Sequence, residues 1–174
     1  MMEEPAVPVP GELERAYQEH SGLVFRTAYR VTGNAADAED VLQTVFLRLV
    51  RRDSSAGALE NHERYLRRAA VNVAIDIVRS KQTAKSVPLD DAPPRSLTEE
   101  SGEYTREMKD CLRRAISQLP HRDAEVFTLR FVEGFANPEI AKLLGISQVH
   151  VAVILHRARK QLQKEVRSYM GGRS

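Results

Sequence analysis

The chain of 174 residues sets 26 Lys or Arg against 24 Asp or Glu and is 42% hydrophobic, room for one compact domain or two small ones at a net charge of only +2. Its single cysteine, Cys111, excludes an intramolecular disulfide framework and any multi-cysteine zinc or iron–sulfur site. No apolar run approaches the ~20 residues of a spanning helix, and the acidic, proline-punctuated start lacks the basic lead and apolar segment of an export signal. A cytoplasmic protein without membrane insertion is therefore expected.

The near-neutral total hides an alternation. Residues 1–20 carry five acids and one base, 51–87 eight bases and four acids, 88–107 six acids and two bases, and 151–174 six bases and one acid. Two basic blocks thus flank an acidic spacer, a pattern that suits local contact with polyanions better than a general affinity for them. Solvated helix faces would give the same counts.

Helical periodicity dominates and strand alternation is nearly absent, so the predicted fold class is all-α. Residues 1–11 read as a disordered lead. A first helix over Leu13–Val31 carries Leu13, Ala16, Tyr17, Leu23, Val24, Ala28 and Val31, with Gly22 a candidate break and Gly33-Asn34 a stop. A second has Asp37, Glu39 and Asp40 in its first turn, where acids favour the positive helix end, then the stripe Val41, Leu42, Val45, Phe46, Leu49. Residues 53–61 read as a polar loop with Asn61 capping a third helix from His62 to about Lys81. That helix has the stripe Leu66, Ala69, Ala70, Val73, Ile77, while Arg64, Arg67, Arg68, Arg79 and Lys81 crowd the rest of its surface.

Residues 82–97, with Pro88, Pro93 and Pro94 and no apolar stripe, read as a linker between two small helical domains, 12–81 and 98–168, with 169–174 a tail. Helices are expected from about Thr98 to Leu119 and from Arg122 to Glu133. Asn137-Pro138-Glu139 then reads as a cap, a first-turn proline and an acid at the positive end of a short helix. Gly145 supplies a left-handed stop and Ser147 caps a last helix to about Arg167. Two helices joined by a tight glycine turn predict a helix-turn-helix.

In that motif the second helix lies in the major groove with its early residues on base edges. Stepping ~100° per residue from a core Val151 brings Leu155, Ala158 and Leu162 near it and turns Val153 away. Gln148, His150, Val153 and Arg157 are then the outward candidates: Gln148 for adenine edges, Val153 for a thymine methyl, and Arg157, Arg159 and Lys160 for guanine or phosphate. The helix from His62 differs, since it mixes arginines with Tyr65 and Asn72. Arginines for phosphates, a ring for stacking and an amide for a base that has left the stack suit unpaired strands. For enzymatic chemistry the residues come up short: the five histidines show no metal-ligand spacing, there is no glycine-rich phosphate loop, and no cofactor is implied.

Taken together, DAEDVLQTVFLRL at 37–49, YLRRAAVNVAIDIVR at 65–79, LPHRDAEVFTLRFVEGFANPEIAKLLGIS at 119–147 and LHRARKQL at 155–162 resemble bacterial sigma factors of the extracytoplasmic-function group, whose members carry only regions two and four. The resemblance spans roughly residues 13–165. It implies a non-enzymatic transcription initiation factor with a region two bundle and a region four helix-turn-helix, whose partners are core RNA polymerase, promoter DNA and an anti-sigma factor. Asp37, Asp40, Gln43, Phe46 and Leu47 would dock on the polymerase clamp, and region four on the flap. Arg64, Tyr65, Arg68, Asn72 and Arg79, with the 53–61 loop, would hold the melted minus-10 strand. Gln148, His150, Val153, Arg157, Arg159 and Lys160 would meet the minus-35 element.

Some positions depart from the pattern. Tyr65 stands where the family commonly has tryptophan, Thr44 where an acid often follows the glutamine, and Ala152-Val153-Ile154 where a lysine, a serine and an arginine are usual. The polar readout of the last helix is depleted, and the apolar Ala152–Ile154 run motivates an alternative: a sigma-like module that binds a regulator without reading promoters. A dimeric helix-turn-helix repressor is a further alternative. A 16-residue linker reaches at most ~53–58 Å, enough with two domain widths to span promoter elements ~70 Å apart.

Overall fold

A computed structural model describes residues 10–51, 62–85 and 100–172, and among these every regular element is an α-helix. In chain order they are α1 (Pro10–Thr32), α2 (Ala35–Arg51), α3 (His62–Lys85), α4 (Glu100–Gln118), α5 (His121–Phe131), α6 (Asn137–Leu144) and α7 (Gln148–Gly171). The 53–61 loop, the Asn61 cap, residues 86–97 of the linker and nearly all of the 1–11 lead lie outside the described residues.

The first bundle is α1 packed on α2 and α3. Its core includes Val24, Ala28, Val31, Val41, Leu42, Val45, Phe46, Leu66, Ala70 and Val73, all buried and all drawn from the periodic stripes, whereas Tyr17 of the α1 stripe is 46% exposed and the buried Ala38, Ala74 and Ile75 lie outside these stripes. Gly22 breaks nothing; α1 runs through it, because a lone glycine costs a helix interior only ~1 kcal/mol. The turn is made by Gly33 at φ 67°, and the Arg113 guanidinium of α4 lies where a side chain on that glycine would project. Asn34 does more than stop α1: its Oδ1 accepts the Asp37 N–H at 3.1 Å and so caps α2.

The second bundle places α4, α5 and α6 against α7. Here α6 begins one residue earlier than expected: Ala136 is the cap, Pro138 sits within the first turn, and Glu139 Oε2 accepts the Ala136 N–H at 2.8 Å. Gly145, at φ 66° and ψ 35°, ends α6. Ser147 Oγ then accepts the His150 N–H at 3.1 Å to start α7. The two helices meet at 108°, within the range of a DNA-binding helix-turn-helix.

Two ends differ from the sequence reading. α3 continues to Lys85, past the expected end near Lys81, and α7 reaches Gly171; no proline or glycine interrupts either stretch before those points. Larger in consequence, α3 packs on α4 and α5 as well as on α1 and α2, so the two bundles lie against each other. No single helix among the described residues is long and apolar enough to cross a membrane.

Candidate nucleic-acid interface

The last helix, α7, has one buried and one exposed side. Val151, Ile154, Leu155, Ala158 and Leu162 are buried and fix its rotation. Gln148, His150, Val153, Arg157, Arg159 and Lys160 are exposed on the other side. Val149 joins them as the most exposed large apolar residue among the described residues, at 74%; its place ~160° from Val151 follows from helical stepping. Ile154 is a correction: at 1% exposure it belongs to the core, so the expected apolar surface run shrinks to Val149, Ala152 and Val153.

The basic residues of α7 are not equivalent. Arg157 donates from Nε and Nη2 to the two carboxylate oxygens of Asp123 at 2.8 and 2.6 Å, and Asp123 is buried. That bidentate hydrogen bond raises the guanidinium above its already high pKa. Arg157 is thus engaged in holding α7 to α5. Arg159 stacks over the Phe131 ring at 4.7 Å, which leaves its edge to solvent, and Lys160 is exposed.

On α3 the arrangement is of another kind. Arg68 Nε donates to Glu125 Oε1 at 2.6 Å, and Asn72 Nδ2 donates to the same oxygen at 3.0 Å. Arg64 Nη2 donates to Glu139 Oε1 at 2.8 Å, and Arg79 donates to the Leu119 carbonyl at the end of α4. Tyr65 is half-buried at the edge of the core. Four of the five residues expected to hold an unpaired strand therefore face the second bundle of their own chain. A neighbouring cluster does the same: Glu133, its carboxylate shut off from solvent, accepts from Thr27 Oγ1 and Arg30 Nη1 at 3.1 Å each and lies 3.8 Å from Arg67 Nε.

Sequence reasoning missed this face, and a signal was present. Beside the stripe Leu66, Ala70, Val73, Ile77 runs a second one, Val71, Ile75, Val78, at the same i, i+4, i+7 spacing. Val71 and Ile75 are at 0% and 1% exposure. A helix with two apolar stripes is covered on two sides, and the acids Glu125, Glu133 and Glu139 are the matching marks in the second bundle.

The α2 residues expected to dock separate by exposure. Asp40, Gln43 and Leu47 share one exposed face, Leu47 at 57%. Asp37 and Phe46 are corrections to the expected set. The Asp37 carboxylate is buried and accepts from Lys81, while Phe46 is 6% exposed with its ring edge-on to Tyr17 at 5.0 Å. Both support the surface from beneath.

Two family models match along the chain. Residues 16–84 match the sigma-70 region 2 family and residues 109–162 match sigma-70, region 4. The ECF RNA polymerase sigma factor SigL of Mycobacterium tuberculosis is 30% identical over 151 residues, covering 84% of each chain. SigW of Bacillus subtilis is 26% identical over 83% of each. SigE of Mycolicibacterium smegmatis is 30% identical over 91% of this chain, which spans 62% of that protein's length. Among solved structures, CnrH in complex with the cytosolic domain of CnrY shares the fold at 19% identity and a TM-score of 0.56, over 96% of this chain and 92% of that one. Both family matches and the likeness to SigL over most of each chain lead to one assignment: the chain belongs to the extracytoplasmic-function sigma factors, with sigma-70 regions 2 and 4.

Proposed function

We propose that this sigma factor divides promoter recognition between two helices while α2 anchors it to polymerase in the cytoplasm. In this reading Asp40, Gln43 and Leu47 meet the clamp and region four meets the flap. α7 enters the major groove of the minus-35 element with Gln148, Val149, His150 and Val153 toward base edges and Lys160 toward phosphate. α3 takes the melted minus-10 strand, with Arg64 and Arg68 on phosphates, Tyr65 beside a base and Asn72 on a base edge. An anti-sigma factor competes for the same faces.

The single observation that carries the reading is the exposed early face of α7, presented by a capped helix-turn-helix at 108°. With Val149 and Val153 foremost, base contact there is mostly apolar, and thymine methyls are the feature such a surface can sense. Selection of transcribed promoters from a random library with purified core polymerase tests it. The expected outcome is two preferred blocks, the upstream one rich in thymine steps. A single downstream block would remove α7 from promoter reading.

A further inference from the structure

We propose that a cavity lined by α1, α3, α4 and α5 binds one small anionic amphiphile of the class of hydroxylated medium-chain carboxylates. Its head sits on Lys109 at the rim, its chain lies between apolar walls, and its hydroxyl meets Thr128. The inference does not depend on how the protein reads DNA.

The walls decide the body of the ligand. The cavity measures about 490 Å³, inside the range of about 300 to 1,000 Å³ that small-molecule sites occupy. Ile75 and Val78 of α3, Ile116 of α4 and Phe127 of α5 are among its lining residues. None of these side chains offers a hydrogen bond, so whatever fills the space is apolar along most of its length. Protein interiors are otherwise packed like organic crystals, and side chains that face a void lack dispersion partners that an inserted hydrocarbon chain supplies. Tyr29, Leu112 and Phe131 also line the cavity and are exposed, so it reaches the surface.

The rim decides the charge. Arg30, Lys109 and Arg113 line the cavity and no Asp or Glu does so, although the whole chain is nearly balanced at +2. These cations are unequally engaged. Arg30 Nη1 donates to Glu133 at 3.1 Å, and Arg113 Nη1 donates to Asp110 at 2.9 Å. Lys109 is exposed and has no ion pair or hydrogen bond among the described residues. One unengaged ammonium matches one negative charge, which selects a carboxylate over a doubly charged phosphate.

Thr128 decides the second polar group. It lines the cavity at 1% exposure, and its hydroxyl is buried without a hydrogen-bond partner among the described residues. Buried hydroxyls are paired as a rule, and a helical threonine ordinarily uses the carbonyl one turn back. Methyl and hydroxyl branch from the same carbon, so one χ1 step exchanges which of them meets the cavity. Because Lys109 is exposed and Thr128 is buried, the ligand's hydroxyl belongs at the end of the chain away from its carboxylate.

Isothermal titration calorimetry of the full-length protein with 10-hydroxydecanoate tests the site. The expected result is one molecule bound per chain, with decanoate weaker by roughly 2- to 12-fold, the range of a single net hydrogen bond. Thr128→Val keeps the shape, gives up no hydrogen bond of the free protein, and should make the two ligands equal. Lys109→Gln, on the surface, should weaken both by roughly 2- to 5-fold, as an exposed ion pair does. Ile116→Trp, which fills the cavity, should abolish binding in a chain whose helix content by circular dichroism is unchanged. Absence of binding to the wild type overturns the proposal. So does equal binding of decyltrimethylammonium, which has the same chain length and the opposite charge, or binding that is the same in Lys109→Gln and Thr128→Val as in the wild type.

Discussion

The two basic helices of this sigma factor teach opposite lessons about counting charges. α3 is rich in arginine, yet Arg64, Arg68 and Asn72 end on acids of region four. α7 carries fewer polar groups where a reader needs them, yet its early face is open, with Val149 and Val153 outermost. The first has cations without access, and the second has access with few cations early in the helix. What a basic helix can do is set by what lies across from it, and a charge total cannot report that.

The same rule separates neighbours on α2, where the largest effect is expected. Phe46→Ala should cost about 3–5 kcal/mol of folding stability, the usual loss for a buried phenylalanine, measured by urea denaturation. Leu47→Asp should leave the midpoint in place and weaken core polymerase binding instead. The reverse pattern would return Phe46 to the docking surface. On α3, Asn72→Ala should impair promoter opening by about 5- to 150-fold, from about 1–3 kcal/mol for an unmet hydrogen bond. Duplex binding by α7 should be little changed, and permanganate reactivity of melted thymines reads the difference.

On α7 the expected effects are smaller. Val153→Lys should add one phosphate contact and steepen the plot of log affinity against log salt by about 0.9. An identical slope would mean that this face does not approach duplex DNA. Arg157→Ala and Arg159→Ala differ in kind. The first leaves buried Asp123 without its bidentate partner and should lower the melting temperature. The second, removing a guanidinium stacked on Phe131, should act on salt dependence alone. Equal melting temperatures for the two variants would show that the Asp123 pair holds nothing.

Local signals carried most of the fold. Gly33, Gly145 and Ser147 mark turns and a cap by chemistry that acts within a few residues, and the stripe beginning at Val151 gives the rotation of α7. Gly22 and Asn137 misled because a single residue permits a break or a cap without requiring one. The site was less legible, since it depends on contacts across the chain. Asp37 looks like any first-turn acid until Lys81 reaches it from α3, forty-four positions away. Ile154 reads as a surface substitution in the family's pattern, and only the packing of α7 on its neighbours takes it inside. The second stripe on α3 was visible, but what covers it was not: Glu125 lies fifty-three positions from Asn72.

The most direct measurement places a photoreactive phenylalanine analogue at position 68 of the full-length chain. In the free protein the account predicts a cross-link within the chain to α5, where Glu125 now meets Arg68. In the complex with core polymerase and promoter it predicts that this cross-link is lost and one to the melted minus-10 strand replaces it. Cross-linking to α5 in both states would contradict the account.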